Sequence, residues 1–267
     1  MASKTSAPAS KSGPPATQAE VVLLPQLKNC LLNLPSSLVA VLLNANAIAQ
    51  NVVVELAYRL PPTSTVESKK NASAQHRSVF LGWTGMQSQH RLAPIVGGDG
   101  VGNGRSSGAQ DVATVEMDAT FGRLLGLAEG QKVGISLHVD PPQAHTIHIE
   151  PLTATDWEII ELHARFLEMN FLSQVRALPN PAYASLSGPS HPLTLHLTPT
   201  STANITVTSL LPAPPASQPF VKISPDAEVI VAPKTRQTAS RSSARESRSV
   251  ASTSRKSVGP GNGEASN

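Results

Sequence analysis

Four groups of residues in this sequence have types and spacings that invite chemistry. His138, His145 and His148 fall close together, and imidazoles so spaced ligate metal when their side chains converge and outer partners orient them. No cysteine lies among them and no acidic partner is set by spacing, so no metal site is expected. The run VGGDGVGNGRSSG, residues 96–108, suggests a loop whose backbone amides cradle phosphate. Its Gly100-Val-Gly102-Asn-Gly104 core lacks the later spacing of a dinucleotide fingerprint, and no strand–turn–helix unit surrounds it. A flexible insertion is the expectation there. Cys30, the only cysteine, sits in an apolar run that raises its thiol pKa and disfavours a nucleophile. Glu158 and Glu161 lie one helical turn apart and read as surface charges rather than a general acid–base pair.

A P-loop ends in Gly-Lys followed by Ser or Thr, because the lysine and hydroxyl must reach the phosphates and magnesium. The dipeptide Gly-Lys occurs nowhere in this chain. Expected catalytic, cofactor-binding and metal-binding residues are therefore none, and the chain itself is expected not to be an enzyme.

The elements that would have to position any site are mainly strands. VVLLPQLKNCLLNLP and NVVVELAYRL are short apolar runs cut by Pro25, Pro35 and Pro61, as strands are. LPSSLVAVLLNA reads as a short helix capped by Ser36 or Ser37. SVFLGWTGM reads as a strand in which Gly82 and Gly85 permit a kink or a close backbone approach. ATVEMDATFGRLLGLAEGQKVGISLHV predicts a strand, a short helical turn, a Gly130-marked turn and a strand with Ile135, Leu137 and Val139 alternating. Ile147 and Ile149 alternate in the next run, and Leu193/Leu195/Leu197, Ile205/Val207 and Val229/Val231 alternate in a second β region.

Between these regions runs the one long helical phrase, EPLTATDWEIIELHARFLEMNFLSQVRAL, residues 150–178. Thr155 and Glu158 fit a capping box, and Pro179 stops the helix. Trp157, Ile160, Leu167 and Phe171 are its expected packing residues. Further apolar cover from Ile159, Leu162, Phe166 and Met169 predicts burial on more than one side.

Composition bounds the rest. The 267 residues carry a net charge of +3, but the two ends, 1–19 and 234–267, hold a net seven positive charges, leaving the middle at −4. An acidic body with few aromatics makes nucleic acid an unexpected partner. The ends are small, polar and poor in apolar residues, so both are expected to be disordered. The tail places Arg236, Arg241, Arg245, Arg248, Arg255 and Lys256 among serines. Such a segment attracts anionic phospholipid, which makes a lipid- or nucleic-acid-tethering protein acting through its basic tail the alternative reading. No apolar run is long enough to span a bilayer, and one cysteine suits a reducing setting.

The phrase HTIHIEPLTATDWEIIELHARFLEMNFLSQVRAL, with SSLV, FLGWTG, LLGLAEGQKVGISLHV and AEVIVAPKTR in the same order, resembles the N-terminal region of the peroxin-one family of peroxisome-biogenesis AAA ATPases. Together these pieces cover most of residues 20–236. The resemblance, shared more broadly with the substrate-handling domain of valosin-containing protein, implies a mainly β fold with a few helices. A double-psi β-barrel N-lobe, residues 20–150, would precede a smaller α+β or β-barrel C-lobe, 151–233, flanked by disordered segments 1–19 and 234–267. It also implies a non-catalytic docking module that binds a protein adaptor or ubiquitinated import receptor for receptor recycling and matrix protein import. A partner peroxisomal AAA ATPase, ATP and magnesium would engage motor domains outside this chain. The implied location is cytoplasmic, peripheral on the peroxisomal membrane.

Overall fold

The structure, a computed structural model, describes residues 17–60, 76–90, 112–183 and 190–234. Six strands close a barrel: β1 (Thr17–Leu24), β2 (Leu31–Leu34), β3 (Val52–Arg59), β4 (His76–Gln87), β5 (Thr114–Asp118) and β6 (Lys132–Val139). Their order around the barrel is β1-β5-β2-β4-β3-β6. Two neighbouring pairs are parallel, with Val21 opposite Val115 and Leu31 opposite Gly82, and the others are antiparallel. Parallel neighbours need crossover connections. The crossovers from β1 to β5 and from β2 to β4 interleave, which is the arrangement of a double-psi barrel. A short helix, α1 (Ser36–Asn44), and a 3-10 turn at Ala49–Asn51 link β2 to β3, and α2 (Ala119–Leu124) links β5 to β6. Leu32, Leu34, Val54, Leu56, Leu81, Trp83, Val115 and Met117 fill the interior.

The second lobe is a five-stranded sheet in the order β8-β11-β7-β10-β9. Its strands are β7 (Gln143–Pro151), β8 (Ala177–Pro179), β9 (Leu193–His196), β10 (Thr202–Leu211) and β11 (Phe220–Val231), with α3 (Ala154–Leu162) and α4 (Ala164–Gln174) between β7 and β8. This is the α+β form of the expectation. β7 pairs with β10 and β11, so the passage between the sheets falls near residues 140–142 rather than at 150/151. Ile147, Ile149, Leu193, Leu195, Ile205 and Val207 are buried in its core, as their alternation predicts.

The glycine and turn readings hold. A Cβ on Gly82 would lie 2.7 Å from Arg176 Cβ and 2.8 Å from Leu31 Cδ2, and Gly85 adopts φ +97°. Those are a close approach and a kink respectively. The helix at 36–44 also forms, but Pro35 precedes it and no serine side chain caps it.

The long helical phrase needs four corrections, of which the first is its end: α4 stops at Gln174, where Val175 turns extended, and Pro179 lies in β8 rather than stopping the helix. The phrase forms two helices, broken at His163, where φ is −115° and ψ 22°. Its cap is Thr153, not Thr155: Thr153 Oγ1 accepts from Asp156 N at 3.0 Å, and Asp156 Oδ2 accepts from Thr153 N at 2.9 Å. The sequence Thr-Ala-Thr-Asp-Trp-Glu offers two overlapping capping boxes. The first is selected because Asp156 Oδ1 also accepts from Asn204 N, 2.9 Å away on β10. Finally, burial is one-sided. Ile160, Leu167 and Phe171 are buried and Trp157 is half-buried, whereas Leu162 and Met169 are 78% and 69% exposed and Phe166 is 40% exposed. Each helix covers the sheet with one face, and no element among the described residues covers the other.

Candidate docking surface at the lobe junction

The two lobes meet along a seam built from charged and polar residues that sit inside otherwise apolar runs. In the loop after β1, Lys28 Nζ donates to Pro199 O at 2.9 Å. Cys30 N donates to Gln174 O at 2.8 Å, and Cys30 Sγ to Thr194 O at 3.1 Å. Gln174, at the end of α4, grips β9 from both sides of its amide. Its Nε2 donates to His196 O at 2.9 Å, and its Oε1 accepts from His196 N at 2.7 Å. The His196 ring then points across the seam, with Nε2 3.3 Å from Asp118 Oδ1. Asp118 is also the cap of α2, accepting from Phe121 N at 2.8 Å. One carboxylate therefore fixes a barrel helix and faces the second lobe.

Further along the seam, Arg176 Nη1 donates to Trp83 O, beside the close approach at Gly82. Phe80 of β4 stacks on Phe220 of β11 with centroids 4.4 Å apart, and His138 of β6 tilts against Phe220 at 4.9 Å. Val53 and Ala177 complete this apolar contact. At its end Lys222 Nζ donates to Asn51 Oδ1 at 3.1 Å and pairs with Asp140. Val52, Val53 and Val54 are all buried because Val52 and Val54 face the barrel core while Val53 faces the second lobe.

The environment tunes these groups. Burial alone would push Asp118 up, but the His196 side chain, the amides of Phe121 and Lys28 and the nearby imidazole charge together hold it below the usual carboxylate range. Burial holds His191 down at about 4, so its ring stays neutral. Burial also drives the Cys30 thiol far up, as its apolar run predicts.

A second polar web sits in the barrel. Glu116, 1% exposed, accepts from Asn33 Nδ2, Gln89 N and His90 N, each at 2.7 Å, with His90 Nδ1 at 2.9 Å. These donors outweigh the effect of burial and hold its carboxyl low. The web pins the chain leaving β4 against β5.

Of the residues singled out from sequence, Cys30 and His138 lie in the seam, and His145 and His148 fall elsewhere. His138 Nε2 is 3.4 Å from Glu55 Oε2, His145 Nδ1 is 3.7 Å from Asp226 Oδ1, and His148 is half-buried on β7. Among the described residues no group of three His, Cys, Asp or Glu is placed to hold a metal ion. No helix among them is long and apolar enough to cross a membrane. The stretch 96–108 and the tail residues Arg236, Arg241, Arg245, Arg248, Arg255 and Lys256 lie outside the described residues. Gly104-Arg-Ser-Ser-Gly108 spells the five-residue pattern of a nucleophile elbow, which has meaning only between a strand and a helix; it too lies outside them. Sequence reasoning passed over Asp118, Gln174, Arg176, His196 and Lys222. The available signal was a charged or polar residue inside an apolar strand, as in VEMD, LTLHL and FVKIS.

A family model described as the N-terminal part of peroxisome biogenesis factor 1 matches residues 145–233. The chain is 51% identical over 229 residues to the peroxisomal ATPase PEX1 of Arthrobotrys oligospora, covering 85% of this chain and 18% of that protein. It is 30% identical to PEX1 of Komagataella phaffii, over 84% of this chain and 17% of that protein. Against human PEX1 the identity is 28%, over 59% of this chain and 9% of that protein. The chain thus spans less than a fifth of the length of these relatives.

Proposed function

From a chain that belongs to the PEX1 family of peroxisomal ATPases as its N-terminal domain, we propose a non-catalytic docking module that brings protein cargo to the ATPase. The module acts in peroxisome biogenesis by binding a protein adaptor or a ubiquitinated import receptor, at the cytoplasmic face of the peroxisomal membrane. ATP, magnesium and the partner ATPase are handled by domains outside this chain. The observation that carries the reading is the polar seam in a chain of this family. Asp118–His196, Cys30–Gln174, Arg176–Trp83 and Lys222–Asp140 tie two lobes into one platform. A platform whose parts do not shift loses little entropy when a partner docks.

The test is to express the full-length ATPase without residues 17–234 in cells that lack it. Matrix protein import is expected to fail and import receptors to accumulate on the membrane, while the purified deletion protein still hydrolyses ATP. Normal import by the deletion protein would overturn the reading, as would ATP turnover by the isolated 267-residue chain. The alternative, tethering through residues 234–256, predicts binding to anionic vesicles that weakens steeply with salt and disappears when only the tail is removed.

A further inference from the structure

We propose that the outer face of α3 and α4 is the docking site for a basic amphipathic helix of a partner protein. This deepens the docking reading and rests on it. Phe166 and Met169 stand three residues apart on α4, the spacing of a helical stripe, and Leu162 ends α3 just before it. All three are exposed, at 78%, 40% and 69%. The stripe on α4 lies opposite the face carrying Leu167 and Phe171, which anchors the helix to the core. The break leaves Leu162 at the end of α3 and Phe166 and Met169 on α4: His163 N donates to Ile159 O and Ile160 O, and Leu167 N donates to His163 O at 3.0 Å, so one residue closes the first helix and opens the second.

The charges bordering the stripe decide the occupant. Glu161 and Glu168 are exposed beside it, against the single Arg165. An anionic membrane would be repelled by that border. A second copy docking about a two-fold axis would set the same acidic border against itself. The chain's own tail, residues 236–256, is basic, but Val250 is its only large aliphatic side chain, so it cannot fill an apolar stripe. A helix with aliphatic residues on one face and Lys or Arg along its flanks satisfies both features: it covers the three apolar side chains and pairs with the glutamates.

The probe is a fluorescein-labelled synthetic helix of about 18 residues, or roughly five turns, with leucines on one face and lysines flanking them. Its control carries glutamates in place of the lysines. The 267-residue chain is expected to bind the lysine peptide saturably, and the glutamate peptide about tenfold more weakly, a difference of about 1.4 kcal/mol. Leu162→Lys and Met169→Lys are each expected to weaken binding of the lysine peptide about tenfold, with circular dichroism and Tm unchanged because both side chains are exposed. Leu43→Lys, which alters an exposed leucine on α1, is expected to leave it intact. Equal binding by wild type and Met169→Lys, or equal binding of the two peptides, would overturn the proposal. So would a Met169→Lys defect confined to phosphatidylserine vesicles or to self-association in sedimentation. In the full-length ATPase, Met169→Lys is expected to impair import. Normal import there, alongside failed import on deleting 17–234, would sink this surface and leave the docking reading standing.

Discussion

His196 Nε2 lies 3.3 Å from Asp118 Oδ1 across the lobe junction, and both residues are buried. The contact joins β9 of the second lobe to the residue that caps α2 of the barrel. A buried carboxylate in this position holds the junction only while it is ionised.

The Asp118 carboxyl titrates below its ordinary value in the folded chain, because the donors around it outweigh its burial. A lowered folded-state pKa contributes stability that is present above the unfolded value, about 3.9, and is lost as pH falls through the folded value. Asp118→Asn is therefore expected to lower unfolding free energy by about 1–3 kcal/mol at neutral pH, and by progressively less below pH of about 4. Urea midpoints of both proteins across that range check this. A deficit of constant size would show that the charge is not what matters.

At Gly82 the barrel lies close against the second lobe, with Arg176 Cβ 2.7 Å from the position a Cβ would take. The neighbour is the root of a side chain and cannot swing away. Gly82→Ala is expected to cost about 1–3 kcal/mol and to accelerate amide exchange in β8, whose partner strand β11 also meets the barrel. Unchanged exchange in β8 would mean that the lobes do not depend on this approach.

Phe171 and Phe166 lie five positions apart on α4, one buried and one exposed. Phe171→Asp places a carboxylate in the core and is expected to cost more than about 4 kcal/mol, whereas Phe166→Asp should stay within about 1 kcal/mol. Thermal unfolding of the two variants separates them. Similar losses would mean that α4 is buried on both sides.

Cys30 sits under Thr194 O, and burial keeps its thiol protonated. The thiolate is the reactive form. The native chain is expected to resist an aromatic disulfide reagent at neutral pH and to react fully once denatured. Fast native labelling would show that the junction opens.

Parts of both lobes were legible from local pattern. Gly82, Gly85 and Gly130 mark a close approach and two positive-φ positions in the structure, and Ile147, Ile149, Leu193 and Leu195 point inward as their alternation demands. The helical phrase was legible as helix but not in its cap, its break, its end or its burial. Thr153 and Thr155 were equal candidates for the cap until Asn204 N reached Asp156 from β10. Apolar residues all round the helix do not tell how many faces a neighbour will cover, and among the described residues only one is covered.

Composition, periodicity and the missing Gly-Lys dipeptide determined that this chain is mainly β, carries one helical phrase and lacks a phosphate-loop motif. Those properties follow from single residues and near neighbours. The junction was decided only by the tertiary structure. Asp118 and His196, Cys30 and Gln174, and Lys222 and Asp140 are far apart in the chain. Burying a charge is costly unless it meets a partner. Which partner it meets is set by the register of two sheets packed against each other, and no local pattern encodes that.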